Sequence, residues 1–198
     1  MIRTQEEYEN HLSDTEAKWF AVYTRYKAEK EVMRQLQRND IEAYVPLNRQ
    51  VRQYASKRKV VELPLMHCYV FVKIKKTQYV AVLETNNVVK FIRFSKNLIS
   101  IPEREINLLK RICDTDLSVE AAAIEFIPGH PVEIIGGRLT GIQGKLIDQK
   151  NKIFLVELNQ IGFGLRIELD PKLLKPLKPV GNIENEEVNG LLKNKYGI

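Results

Sequence analysis

The sequence predicts an α+β chain: an antiparallel sheet flanked by helices, linked to a small C-terminal β-barrel. Three observations predict it. Up to residue 113 the apolar patterns run strand, helix, strand, strand, helix, strand, helix, which suits one sheet with helices packed on it. Beyond residue 124, short β runs follow one another closely, punctuated by Gly and Asn, as in small antiparallel barrels. Between the two, residues 114–123 are acidic, then alanine-rich, without an aromatic side chain, and read as a linker. The expected division is 1–113, a linker at 114–124, a barrel at 125–177 and a flexible polar tail at 178–198.

Each element has its own signal. Trp19 to Thr24, WFAVYT, is apolar on both faces and predicts a strand covered on both sides. Lys27 to Asn39 predicts a helix, because Ala28, Val32 and Leu36 recur at i, i+4 and i+8. Lys27, Glu31, Arg34 and Arg38 fall on its opposite side. Ile41 to Pro46 is a second strand. Arg49 to Lys59 holds five bases and no acid, and reads as an exposed hairpin arm or loop. Cys68 to Ile74, CYVFVKI, is a third strand. It turns Cys68, Val70, Val72 and Ile74 one way and Tyr69 and Phe71 the other. A short helix at Thr77–Glu84 leads through an Asn86-Asn87 turn to a strand at Val88–Phe94. Ser100 and Glu103 predict a capping box with Pro102 in the first turn, before a helix burying Ile106, Leu109 and Ile112. Four barrel strands are expected at Pro131–Ile135, Gly144–Asp148, Ile153–Asn159 and Gly164–Leu169, rich in β-branched residues.

Composition narrows the class. A chain of 198 residues allows one or two domains. Its 44% hydrophobic and 28% charged residues are ordinary for a globular protein and exclude collagen-like, low-complexity and wholly disordered chains. No apolar run reaches the roughly 18 residues of a membrane span, and Met1–Asn10 is polar and acidic, without a signal-peptide core. A cytoplasmic protein with no membrane partner is expected. Two cysteines, Cys68 and Cys113, fit that compartment and exclude a disulfide framework. The net charge of +6 is uneven: residues 1–113 hold 21 bases and 13 acids, whereas 125–177 hold 7 and 6. A positive first half favours nucleic acid or another anionic surface, and equally fits a merely soluble basic protein.

Catalytic patterns are missing. The segment GGRLTGIQGKL, Gly136 to Leu146, fails as a phosphate loop, with Leu139 where a Gly and Leu146 where a Ser or Thr are needed. His67-Cys68, His11, His130 and Cys113 lack metal-ligand spacing, so no metal is expected. Neighbours in a strand point to opposite faces, which also argues against a His67–Cys68 nucleophile. The residues read as a binding protein, not an enzyme, with no cofactor.

Three pieces, WFAVYTRYKAEKEV, PLMHCYVFVKI and PGHPVEIIGGRLTGIQGKL, resemble the NusG family of transcription elongation factors. The first two are similar to its N-terminal domain. The third is similar to its KOW domain, a small SH3-like barrel, with Gly129, Val132, Gly137, Gly141 and Gly144 in the family's pattern. The ending LRIELDPKLLKPL matches as well, so the resemblance covers 19–177. The short segment before Trp19, the PLxxxYVFV form and the IP-x-x-E helix are similar to specialised paralogues of the RfaH and UpxY kind, which act on selected long operons such as polysaccharide loci. One departure stands out: His67 and Cys68 occupy the place where the family usually has Pro-Gly or a similar pair.

The resemblance implies a transcription elongation and antitermination factor that suppresses pausing. It implies RNA polymerase binding through an aromatic cavity, here Tyr23, Met66, Tyr69 and Phe71, which takes the clamp helices of the large subunit. The pattern alone favours cover of those four by the domain's own helices, and the resemblance reverses that preference. Gln78 and Tyr79 would approach the lobe opposite the clamp, so that the domain bridges the DNA cleft. Arg25, Lys27, Gln35 and Arg38 would meet the non-template DNA strand, and Arg52, Lys57, Arg58 and Lys59 the upstream duplex or solvent alone. The KOW barrel would recruit NusE or Rho, and a monomer is expected. A general housekeeping NusG and a KOW protein of ribosome assembly are the rival readings. The barrel's near-neutral charge disfavours the second.

Overall fold

A computed structural model describes residues 8–53, 57–94, 96–115, 117, 119–123, 129–148, 153–158 and 163–177. The expected tail at 178–198 lies outside the described residues. The chain is α+β. A four-stranded antiparallel sheet has the order β2-β5-β1-β6, made of β2 (Glu42–Tyr44), β5 (Tyr69–Ile74), β1 (Lys18–Thr24) and β6 (Val88–Phe91). One face packs on α1 (Glu29–Arg38) and α2 (Tyr79–Leu83), burying Phe20, Val22, Val32, Leu36, Val70 and Val72. The other carries Trp19, Ala21 and Phe71 towards α3 (Glu103–Cys113), whose Ile106, Leu109 and Ile112 are fully buried.

Local chemistry sets the helix ends. Lys27 is left-handed (φ 64°), so α1 begins after it, at Glu29, and Lys27 is not helical as the pattern had suggested. At the other end Asp40 is left-handed (φ 55°). Ile41 N–H donates to the Leu36 carbonyl (3.0 Å) and Asp40 N–H to that of Gln37 (3.2 Å). This double bond closes a helix, and the Ile41–Leu36 apolar contact that accompanies it lies in the core. The capping box expected at Ser100 does not form. Pro102 is the N-cap of α3, and Ser100 is drawn instead to His11, whose Nδ1 lies 3.0 Å from both its Oγ and its amide. Glu103 reaches β1 and β5: Trp19 Nε1 donates to its Oε2 (2.8 Å) and Lys73 Nζ sits 3.0 Å away. The β6 strand ends at Phe91, short of the expected Phe94, because Phe94 turns back to bridge Asn97.

The basic arm is a hairpin. β3 (Leu47–Gln53) and β4 (Arg58–Pro64) pair as a separate two-stranded ribbon, from Leu47 opposite Pro64 to Gln53 opposite Arg58. Lys30 of α1 donates to the Glu62 carbonyl (2.6 Å) and ties the ribbon down.

The later region is all β. A six-stranded sheet has the order β12-β8-β9-β10-β11-β7. Its strands are β7 (Val119–Ala123), β8 (His130–Ile134), β9 (Gln143–Asp148), β10 (Ile153–Leu158), β11 (Phe163–Glu168) and β12 (Leu174–Pro176). Four of these match the expected strands, β7 and β12 are additional, and the all-β region is consistent with a small KOW-type barrel. The glycines of 136–146 are turn and packing residues. Gly137 and Gly141 are left-handed, and a Cβ at Gly144 would collide with the Leu155 carbonyl and come within 2.6 Å of the Phe154 ring. The segment read as a linker contains β7, which pairs with β11 from Val119 opposite Ile167 to Ala123 opposite Phe163. Alanine is a poor strand former, and here an available strand edge overrides local preference. No helix among the described residues is long and apolar enough to cross a membrane.

Two outcomes are expected. Gly144→Ala should cost about 1–3 kcal/mol or more, as overpacking does, visible as a lowered thermal midpoint by circular dichroism. The Glu103 carboxyl is held below the usual carboxylate range, chiefly by its bond to Lys73. A depressed carboxyl stabilises the fold above its unfolded value, and loses that contribution as pH falls through its folded value. Denaturant titrations of wild type and Glu103→Gln should therefore differ at neutral pH and converge on acidification.

Candidate functional site

The β1–β5 register sets Tyr23 opposite Tyr69 and Ala21 opposite Phe71. Side chains alternate along each strand, so Tyr23, Tyr69 and Phe71 share one face. Tyr23 and Tyr69 meet edge to face at 6.1 Å between ring centroids, and Tyr44 stacks on Phe71 at 6.5 Å. Met66 is buried in the same cluster. Tyr23 is 36% exposed, whereas Phe71 is 0%. Burial raises the Tyr69 hydroxyl's pKa, and a hydrogen bond with the Cys68 thiol raises that of Tyr23. The four residues predicted to form a cavity are thus brought together.

The domain's own helices do not account for the whole cover. Phe163 of β11 meets Tyr69 edge to face at 5.2 Å. Barrel residues Val132, Phe154, Val156 and Leu165 belong to the same continuous core as Trp19 and Phe71. Polar ties flank this contact: Arg111 Nη2 donates to the carbonyls of Arg138 (3.2 Å) and Thr140 (3.0 Å), and Asn48 Nδ2 to that of Val119 (3.0 Å). Arg138 also pairs with Asp114.

A second feature lies on the other side of β5. A groove of about 1130 Å³ runs between α1 and the β3–β4 ribbon. It brings together Lys27, Gln35 and Arg38, three of the four residues expected at the non-template strand; Gln35 Nε2 donates to Glu31 Oε1 (3.0 Å). Arg25 is exposed on the loop after β1 and does not line it. Pattern reasoning missed Tyr26, Arg34 and His67, which do. The i, i+4 spacing of Arg34 and Arg38 could have flagged Arg34. Tyr26 and His67 come from different loops, and only the fold makes them neighbours.

On the ribbon, Lys59 stands opposite Arg52, and Arg58 Nε donates to Gln53 Oε1 (2.9 Å); Lys57 and Lys59 are exposed. Gln78 and Tyr79 lie away from the aromatic face. Gln78 Oε1 accepts from Lys75 N–H (3.0 Å), and Tyr79 stacks on Phe91 at 4.5 Å. Val132 is buried in the barrel, and Gly129 closely approaches β9. Among the described residues no three His, Cys, Asp or Glu side chains cluster to hold a metal.

The model of the family described as "Transcription termination factor nusG" matches residues 17–110, the span of the sheet, the ribbon and nearly all of α3. No curated protein matches the chain significantly. Among solved structures, one described as "Domain interaction in Thermotoga maritima NusG" is 18% identical, over 84% of this chain and 100% of its own, with a TM-score of 0.49. Another, the "MjSpt4:Spt5 complex conformation B", is 18% identical, over 81% of this chain and 97% of its own, with a TM-score of 0.28. Residues 17–110 are thus similar to the NusG-family domain, and the all-β region that follows is consistent with a small KOW-type barrel.

Proposed function

We propose that the chain is a transcription elongation and antitermination factor that binds RNA polymerase through the Tyr23–Met66–Tyr69–Phe71 face. The observation that carries this reading is the gathering of Tyr23, Tyr69 and Phe71 on one sheet face, with Met66 of the preceding turn buried in the same cluster, within the segment that the NusG family model matches. The ligand is the clamp helices of the large subunit, packed as a helix into an apolar groove. Gln78 and Tyr79 face the opposite lobe, so the domain spans the DNA cleft and favours the closed, elongating clamp over the paused one by differential affinity. Residues 1–113 form the polymerase-binding unit, and 125–177 recruit NusE or Rho. The non-template strand follows the basic groove at Lys27, Gln35 and Arg38, close to Arg25, while Arg52, Lys57, Arg58 and Lys59 meet the upstream duplex. Action on selected long operons, as in specialised paralogues, is the finer form of this reading.

Because Phe163 sits on Tyr69, the clamp helices and β11 compete for one surface. A protein whose binding-competent state is only partly populated shows a proportionally weakened affinity. Phe163→Ala, or Arg111→Ala at the flanking ties, should therefore raise polymerase affinity several-fold in a titration of fluorescent full-length protein. Tyr69→Ala with Phe71→Ala should lower it by roughly 2–4 kcal/mol, as hot-spot truncations do, with folding checked by circular dichroism. Undiminished pull-down by a folded double variant would refute the assignment.

The groove makes a separate expectation. Arg38→Ala should weaken single-stranded DNA binding at every sequence and reduce the slope of log K against log salt by about 1 if it contacts phosphate. If it reads a guanine edge, it should instead cost roughly 1–3 kcal/mol on one sequence only. Fluorescence anisotropy over a salt series distinguishes the two.

A further inference from the structure

Tyr26 and His67 stand at the groove with no role in the sheet. Tyr26 is 63% exposed, more than any other large hydrophobic or aromatic side chain among the described residues. Its ring meets that of His67 at 5.7 Å between centroids and 61° between planes, and Lys27 Nζ lies 5.2 Å from its centroid.

The pair is held by its backbone. Tyr26 follows β1, His67 precedes β5, and Thr24 N–H donates to the Cys68 carbonyl (2.8 Å) across the gap. Glu29, 1% exposed, accepts from Cys68 N–H (2.7 Å) and fixes the second loop from the side of α1. Each loop contains a non-glycine residue in the left-handed region, Lys27 (φ 64°) and Cys68 (φ 66°). Such conformations are costly and persist where surrounding structure imposes them. Here the bonds to Glu29 and Thr24 impose one that brings two rings together in water.

A phosphate strand in the groove would find Lys27, Arg34 and Arg38 along α1. An acidic peptide would find the same cations, and Glu31 and Glu62 on the walls would repel either anion alike, but the peptide makes no use of an exposed ring pair. A single-stranded nucleic acid uses both features, since cations follow its backbone while aromatic faces take its bases. We propose that Tyr26 and His67 form a stacking platform for one unpaired base of single-stranded DNA lying in the groove. This rests on the groove being the DNA path. Stacking accepts any base, so the platform supplies affinity and fixes register, and sequence choice falls to the arginines.

The test uses full-length protein and an oligodeoxynucleotide carrying 2-aminopurine at single positions, with the same sequence as RNA in a parallel arm. Quenching of one 2-aminopurine on binding is expected. Tyr26→Ala should weaken binding about tenfold, the factor that 1.4 kcal/mol of stacking gives, and abolish that quench. Tyr26→Phe should retain both, and His67→Ala should fall between. Equal binding and quenching by Tyr26→Ala would overturn the platform while leaving the groove as the DNA path. Tighter binding of the RNA would overturn the choice of DNA. Wild-type protein that bound polymerase but no DNA would remove both platform and path, whereas loss of polymerase binding alone would leave this inference standing. Because Tyr26 is exposed, the variants should fold, which circular dichroism checks.

Discussion

The six cross-strand pairs between β1 and β5, from Lys18 opposite Ile74 to Tyr23 opposite Tyr69, decide what each face of the sheet carries. On one face Phe20, Val22, Val70 and Val72 meet α1 and α2, and each such side chain contributes about 1.5–3 kcal/mol by leaving water. On the other face stand Trp19, Ala21, Tyr23, Tyr69 and Phe71. A slip of one residue in either strand would exchange its two sets. The aromatic cluster would then turn towards α1, where the aliphatic stripe has no space shaped for it. The burial of Phe20 and Val22 therefore holds the aromatic face in place from behind.

That face is too apolar to remain open in water. Phe71 and Met66 are buried because α3 and the barrel together close over them, Tyr69 is half-buried, and Tyr23 near the end of β1 is exposed. Tyr and Phe suit such a surface, since two stiff side-chain angles leave little freedom to lose when either cover is in place. The polar ties around the contact, from Arg111 and Asn48 to backbone carbonyls, are hydrogen bonds that water can replace. An exposed bond of this kind contributes little net stability, so the closed arrangement rests on apolar area, which a partner helix of similar character also offers.

Much of this was legible in the chain. Alternation in CYVFVKI separated Tyr69 and Phe71 from Val70 and Val72, and the i, i+4, i+8 spacing of Ala28, Val32 and Leu36 fixed the buried stripe of α1. Long-range competition was not legible. Ser100 has a capping partner at the right spacing, yet a histidine 89 positions away takes it. Val119–Ala123 has no strand signal, because its pairing depends on an edge of β11 that only the assembled barrel provides. The basic arm read as a hairpin or a loop, and charge alone does not choose between them; the register from Leu47 opposite Pro64 to Gln53 opposite Arg58 comes from backbone pairing. The ring pair at the groove was invisible for the same reason: 41 positions separate its members, and the β1–β5 register alone brings their loops together.

The turn from Met66 to Tyr69 shows how two surfaces share one device. Met66 points into the buried cluster, His67 into the groove, Cys68 is held by Glu29 and Thr24, and Tyr69 begins the aromatic face. Where the family usually has Pro-Gly, this chain keeps a left-handed residue at Cys68 without glycine's freedom. A Cβ there strains the backbone, at roughly 1–2 kcal/mol, and it carries a thiol that raises the Tyr23 hydroxyl's pKa. The Glu29 carboxylate, buried at the first turn of α1, takes the amide that this backbone turns inward. Rigid elements thus meet at one residue, with α1 on one side and the aromatic face on the other. The departure at His67-Cys68 therefore leaves Tyr23, Tyr69 and Phe71 assembled on one face and sets the His67 ring in the groove.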